Sequence, residues 1–131
     1  MSPIRKKHWG DLNVGGPQLR ALCIGNNTKG NRVFPDLENC AKDARAVKEK
    51  ICNIFGPDAV TLEYNIKTKE GLVTVLRDFL KRFDRPPRMV IIYFSGHGVQ
   101  EGDEIFLVPT DATPKTSDEL RAQCLSHDDL F

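Results

Sequence analysis

The residues best suited to chemistry stand together at Ser95-Gly96-His97-Gly98. An imidazole exchanges a proton near neutral pH, so His97 is a candidate general acid or base. Glycine on both sides predicts a sharp backbone turn and lets a substrate carbonyl approach without meeting a Cβ. The N–H of Gly98 is a candidate oxyanion donor. The competing reading is a histidine that only caps a strand and hydrogen-bonds locally.

Such a histidine needs elements to hold it. Leu19 to Ile24 is a short, mostly apolar run ending at Gly25-Asn26-Asn27, a strand followed by a turn. Leu37, Cys40, Ala41, Ala44, Val47, Ile51 and Ile54 recur at helical steps and predict an amphipathic helix ended by Gly56-Pro57-Asp58. Ala59 to Tyr64 is a second strand. Thr68 is the expected cap of a second helix, whose stripe is Leu72, Val75, Leu76, Phe79, Leu80 and Phe83. Pro86-Pro87 stops that helix. Met89 to Phe94 is wholly apolar or aromatic and reads as a strand buried on both faces.

The alternation of strand and helix predicts an α/β fold, a three-layer α/β/α sandwich with a mainly parallel sheet. His97 then falls just past the carboxyl end of the third strand, where such sheets bind ligands. Val99 to Val108 reads as a hairpin turning at Glu101-Gly102-Asp103, and Leu125 to Phe131 as the start of another helix. Residues 1–18 read as a leader or linker and 19–131 as the domain.

The 131 residues suffice for one domain with a real core. Lysine and arginine (19) nearly cancel aspartate and glutamate (18), which gives no reason to expect nucleic acid or an anionic membrane as partner. No apolar run nears the roughly 18 residues of a membrane span. The basic start lacks the apolar stretch of a secretory signal. The four cysteines, Cys23, Cys40, Cys52 and Cys124, read as reduced thiols of a cytoplasmic protein. The turn Gly25-Asn26-Asn27-Thr28-Lys29-Gly30 lacks the spacings of a nucleotide-binding loop.

Three segments in order carry a family resemblance. Tyr93-Phe94-Ser95-Gly96-His97-Gly98 after an aliphatic strand resembles the histidine motif of caspases, metacaspases and paracaspases. Leu37 to Ala44, ending in Asp43-Ala44, is similar to the family's Asp-Ala stretch, and Glu104 to Ala112 to its hairpin ending in Pro-x-Asp. The resemblance covers roughly residues 19–131. It implies a caspase-like fold, cysteine-type peptide-bond hydrolysis and His97 as catalytic histidine.

It also bears on specificity. Aspartate-cutting caspases place an arginine six residues before that Asp, and here the position is Leu37. Leucine has no guanidinium fork to pair with a carboxylate. The resemblance to metacaspases and paracaspases, to which Cys40 adds, implies substrates with a basic P1 residue and Asp43 in their pocket. A helix first-turn aspartate favoured by the dipole is the other reading of Asp43. Asp111, Asp128 and Asp129 lie 14, 31 and 32 residues after His97 and resemble calcium-binding carboxylates of some metacaspases. Oxygen clusters suit Ca²⁺, although Asp128-Asp129 also reads as a helix N-terminal pair.

A cysteine peptidase needs a thiolate beside its histidine. The family spacing of about 50 residues puts it near residue ~147, past Phe131. Cys124 comes too early and follows no aliphatic strand, while Cys23, Cys40 and Cys52 fall in strand or helix patterns. The expectation is that a C-terminal continuation or a partner chain supplies the cysteine. The alternative is an inactive caspase-fold adaptor or regulatory protein.

Overall fold

The computed structural model describes residues 18–129; the leader segment, apart from Gln18, lies outside them. Strand β1 (Leu19–Gly25) is central, with β2 (Val60–Tyr64) on one side and β3 (Met89–Ser95) on the other, all parallel. Helix α1 (Cys40–Phe55) crosses from β1 to β2, and α2 (Lys69–Lys81) from β2 to β3.

The alternation of β1 side chains explains why one helix covers each face. Leu22 and Ile24 join Leu72, Leu76 and Phe79 of α2 in the main core. Leu19 and Ala21 point the other way, where Ala59 and the half-buried Ile51 of α1 meet them. The expected three-layer sandwich is therefore present, with β1 buried on both sides. Thr68 caps α2 as expected, its hydroxyl accepting from Gly71 N at 3.0 Å.

A second sheet stands beside the first: β4 (Gly98–Glu101), β5 (Glu104–Leu107) and β6 (Leu125–Ser126), all antiparallel, with α3 (Ser117–Gln123) between β5 and β6. Gly102 turns the expected hairpin at φ 62°, the left-handed region that glycine enters without strain. Phe106, Val108, Ala112, Leu120 and Cys124 form its core. Arg121 ties the layer together, donating to Glu104 at 2.6 Å and Glu101 at 3.3 Å while its guanidinium lies over Phe106. The bond that Arg121 gives Glu104, with one from Ser126, holds the Glu104 carboxyl below its usual pKa.

Several expectations are corrected. β3 is not buried on both faces: among the described residues it pairs only with β1, and Met89, Val90 and Ile92 are 56%, 41% and 36% exposed. Its composition suits a central strand, but among the described residues nothing pairs with its other edge. Helix α1 begins at Cys40 rather than near Leu37, because Leu37 exchanges two backbone bonds with Thr28. Ile54 and Leu80, expected in apolar stripes, are exposed. Leu125-Ser126 is a strand, not a helix start, because its backbone pairs with Phe106 and Leu107. His127–Asp129 follows as one 3-10 turn, and Leu130 and Phe131 lie outside the described residues.

Candidate active site

The in-register pairing of Gly25 with Ser95 sets the carboxyl ends of β1 and β3 side by side. Asn26 fastens this end. Its N–H donates to Ser95 O at 2.8 Å, and its buried amide makes two bonds with the backbone of Ile66. Asn27 Oδ1 accepts from Ala41 N at 3.0 Å, a cap that Asn39 does not supply from the capping position itself. The first turn of α1 comes so close to β1 that a Cβ on Gly25 would stand 2.5 Å from the Cys40 carbonyl oxygen.

His97 follows this edge and begins the passage into the second sheet, where its carbonyl accepts from Val108 N at 3.1 Å. Its ring meets the loop between β1 and α1. Phe34 stacks on it with centroids 5.0 Å apart, and Nε2 lies 2.7 Å from Pro35 O. A carbonyl oxygen only accepts, so the proton of the neutral ring belongs on Nε2. Nδ1 is then the nitrogen free to take a proton from a nucleophile. Sequence reasoning missed both Phe34 and Pro35. Pro35 acts through its backbone carbonyl, which leaves no trace in residue type.

Of the glycines beside His97, Gly96 forms the expected bend and Gly98 opens β4. Neither has positive φ. A Cβ at Gly96 would come within 2.9 Å of the Phe94 ring and 3.2 Å of Asn26 Cβ, so the ring would have to shift to admit one. At Gly98 a Cβ would meet only Phe106 O, at the ordinary distance of 3.6 Å. With the narrow hydrogen-bonded pair at His97 and Val108, Gly98 opposite Leu107 is a wide pair. Its N–H therefore points away from β5, off the outer edge of the sheet.

Asp43 lies in the first turn of α1, at the same end of the main sheet as His97. Its side chain is exposed, and its carboxylate has no partner among the described residues. Leu37 is half-buried in the loop that holds His97.

The expected calcium carboxylates do not come together. Asp128 Oδ1 is 3.0 Å from His127 Nε2. Asp129 Oδ2 accepts from Ser126 N at 3.2 Å and faces Lys69 Nζ at 3.7 Å. Asp111 is exposed and accepts from the Thr110 hydroxyl at 3.3 Å. Among the described residues no three His, Cys, Asp or Glu side chains are arranged to hold a metal ion. These residues thus offer no ready ligand set in this arrangement.

All four cysteines are free thiols. Burial pushes the Cys124 thiol up to about 11 and raises that of Cys23, to which neighbouring Cys52 adds. Cys40 is buried, and the half-buried Cys52 lies 3.8 Å from Pro57 O, at the far end of α1.

The caspase-domain family model matches residues 18–130, nearly the whole chain. The chain belongs to the caspase-domain family. The parallel sheet with helices on both faces is thus a caspase domain, and membership gives it a cysteine-peptidase-like character and protein substrates as a class. A search of curated proteins gives no match. No described helix of this caspase domain is long and apolar enough to cross a membrane.

Proposed function

We propose that this caspase domain contributes the general base, the oxyanion donor and the P1 pocket of a cysteine endopeptidase cutting after arginine or lysine. The observation that carries the reading is the 2.7 Å contact between His97 Nε2 and Pro35 O at the carboxyl end of the sheet. It fixes the tautomer and leaves Nδ1 as the working nitrogen.

The nucleophile in this reading is a cysteine on a strand that joins the free edge of β3, supplied by a continuation of the polypeptide or by a partner chain. That strand would cover the exposed Met89, Val90 and Ile92. The thiol gives its proton to His97 Nδ1 and the thiolate attacks the substrate carbonyl. The imidazolium charge is eased by the Pro35 carbonyl. The oxyanion lies within reach of the Gly98 N–H, worth about 10²-fold or more in rate for such a donor. The imidazolium then protonates the leaving amine, and water, deprotonated by the same nitrogen, releases the acyl group.

Asp43 is the P1 carboxylate. It is exposed and without a partner among the described residues, at the end of the sheet that holds the base. A guanidinium or ammonium supplies the missing counter-charge. Leu37 offers an aspartate side chain nothing in return.

The test is a P1 series, arginine, lysine and aspartate in one reporter peptide, with and without Ca²⁺. The enzyme is this chain assembled with a cysteine-bearing strand. Arginine and lysine reporters are cut and the aspartate reporter is not. Asp43→Ala lowers kcat/KM for the basic reporters by roughly 30-fold or more, the scale of a charge pair that the bound substrate desolvates, at about 2–5 kcal/mol. Preferential cutting after aspartate would overturn the specificity. Calcium dependence, implied by the family resemblance, is read from the same series.

A further inference from the structure

We infer that Asn31 is a positioning residue for His97, and that it couples the site's base to the turn bearing Asp111. The inference rests on the reading of His97 given above and concerns what holds it.

Both ring contacts of His97 come from residues 34 and 35, in a loop with no regular structure of its own. The loop is closed at its base by the Thr28–Leu37 bridge, with backbone bonds of 2.8 and 2.9 Å. Asp36 Oδ1 accepts from Gly30 N at 2.9 Å across the loop, and Asn31 binds its tip. Asn31 Oδ1 accepts from Val33 N at 2.8 Å and Phe34 N at 3.0 Å, bending the chain immediately before the stacked ring and the Pro35 carbonyl. Asn31 Nδ2 donates to Ala112 O at 2.8 Å and, more weakly, to Thr110 O at 3.4 Å. All four bonding positions of the amide are thereby used.

The two carbonyls that Asn31 grips flank Asp111. The turn they belong to follows Val108, whose N–H holds the His97 carbonyl. A closed circuit results: the His97 backbone to Val108, the chain on to Thr110–Ala112, across Asn31 to Phe34–Pro35, and back to the His97 ring. Neither aspartate nor serine serves at position 31. Aspartate accepts from Val33 and Phe34 but has no N–H for the two carbonyls, and serine is too short to do both. A ligand or charge that shifts the Asp111 turn therefore shifts the carbonyl that sets the His97 tautomer.

The test needs no nucleophile. In the chain labelled with ¹⁵N-histidine, the ring nitrogens of His97 report the tautomer, and those of His127 serve as an internal control. Wild type shows the Nε2–H form in excess, by roughly five- to tenfold as one net hydrogen bond supports. In Asn31→Ala the two His97 nitrogen shifts move toward each other as that excess falls, while His127 stays put. Asn31→Asp, which keeps the bend within the loop, gives a smaller shift in the same direction. If Asn31→Ala does not fold, Asn31→Asp decides alone. A folded variant with the His97 tautomer unchanged overturns the inference and leaves the peptidase reading intact. A peptidase indifferent to His97→Ala would sink the function and leave the tautomer result standing.

Discussion

At the residue scale the division of labour is set by burial and by backbone carbonyls. His97 stood out in the sequence because histidine between glycines at a strand end is chemically conspicuous, and it does lie at the carboxyl edge of the sheet. What orients it was not legible. Pro35 contributes a carbonyl that every residue has, and Asn31 is one of several asparagines in a polar loop. The thiols give a prediction at this scale. Cys124 is wholly buried with its pKa pushed up to about 11 from 9.0, so its thiolate fraction near pH 7.5 is about 100-fold lower than that of an ordinary thiol. Alkylation followed by peptide mass mapping should label Cys52 long before Cys124. Equal rates would show that the second core opens freely.

At the element scale local signals did well and non-local pairing did not. The α2 stripe with its Thr68 cap, the hairpin at Gly102 and the strand before His97 are all written in spacing of two or three to four residues. Helix α3 was missed although its start carries Thr116-x-x-Glu119, and the Thr116 hydroxyl does accept from Glu119 N at 3.1 Å. Leu125 and Ser126 read as a helix start because local sequence says nothing of Phe106 and Leu107, whose backbone captures them. The close approach of β1 and α1 was equally invisible. It predicts that Gly25→Ala, forced against the Cys40 carbonyl and Ala41 Cα, destabilises by at least 2–3 kcal/mol or prevents folding. Gly98→Ala, with only an ordinary contact, should leave the denaturant midpoint within experimental error. Thermal and urea melts of the two variants compare them directly. Similar losses at both positions would mean that the β1–α1 contact is looser than described.

At the scale of the whole molecule, two sheets meet at His97. The parallel sheet brings the ends of β1 and β3 together and sets the first turn of α1 against them, while the antiparallel sheet holds the histidine from behind through Val108. His97, the Gly98 N–H and Asp43 all belong to the carboxyl end of the parallel sheet or the passage out of it. The strand read as fully buried is instead an edge with apolar side chains exposed. Its composition fits a sheet that continues with one more strand, where the proposed site requires its cysteine.

The most direct test of this account is the rate at which the chain, assembled with that cysteine-bearing strand, cuts an arginine-P1 reporter before and after His97→Ala. The account predicts a fall of roughly 10²- to 10⁴-fold in kcat, the scale of a positioned general base, with the fold intact by circular dichroism. An unchanged rate would contradict it, because the proton of the nucleophile would then be going somewhere other than His97.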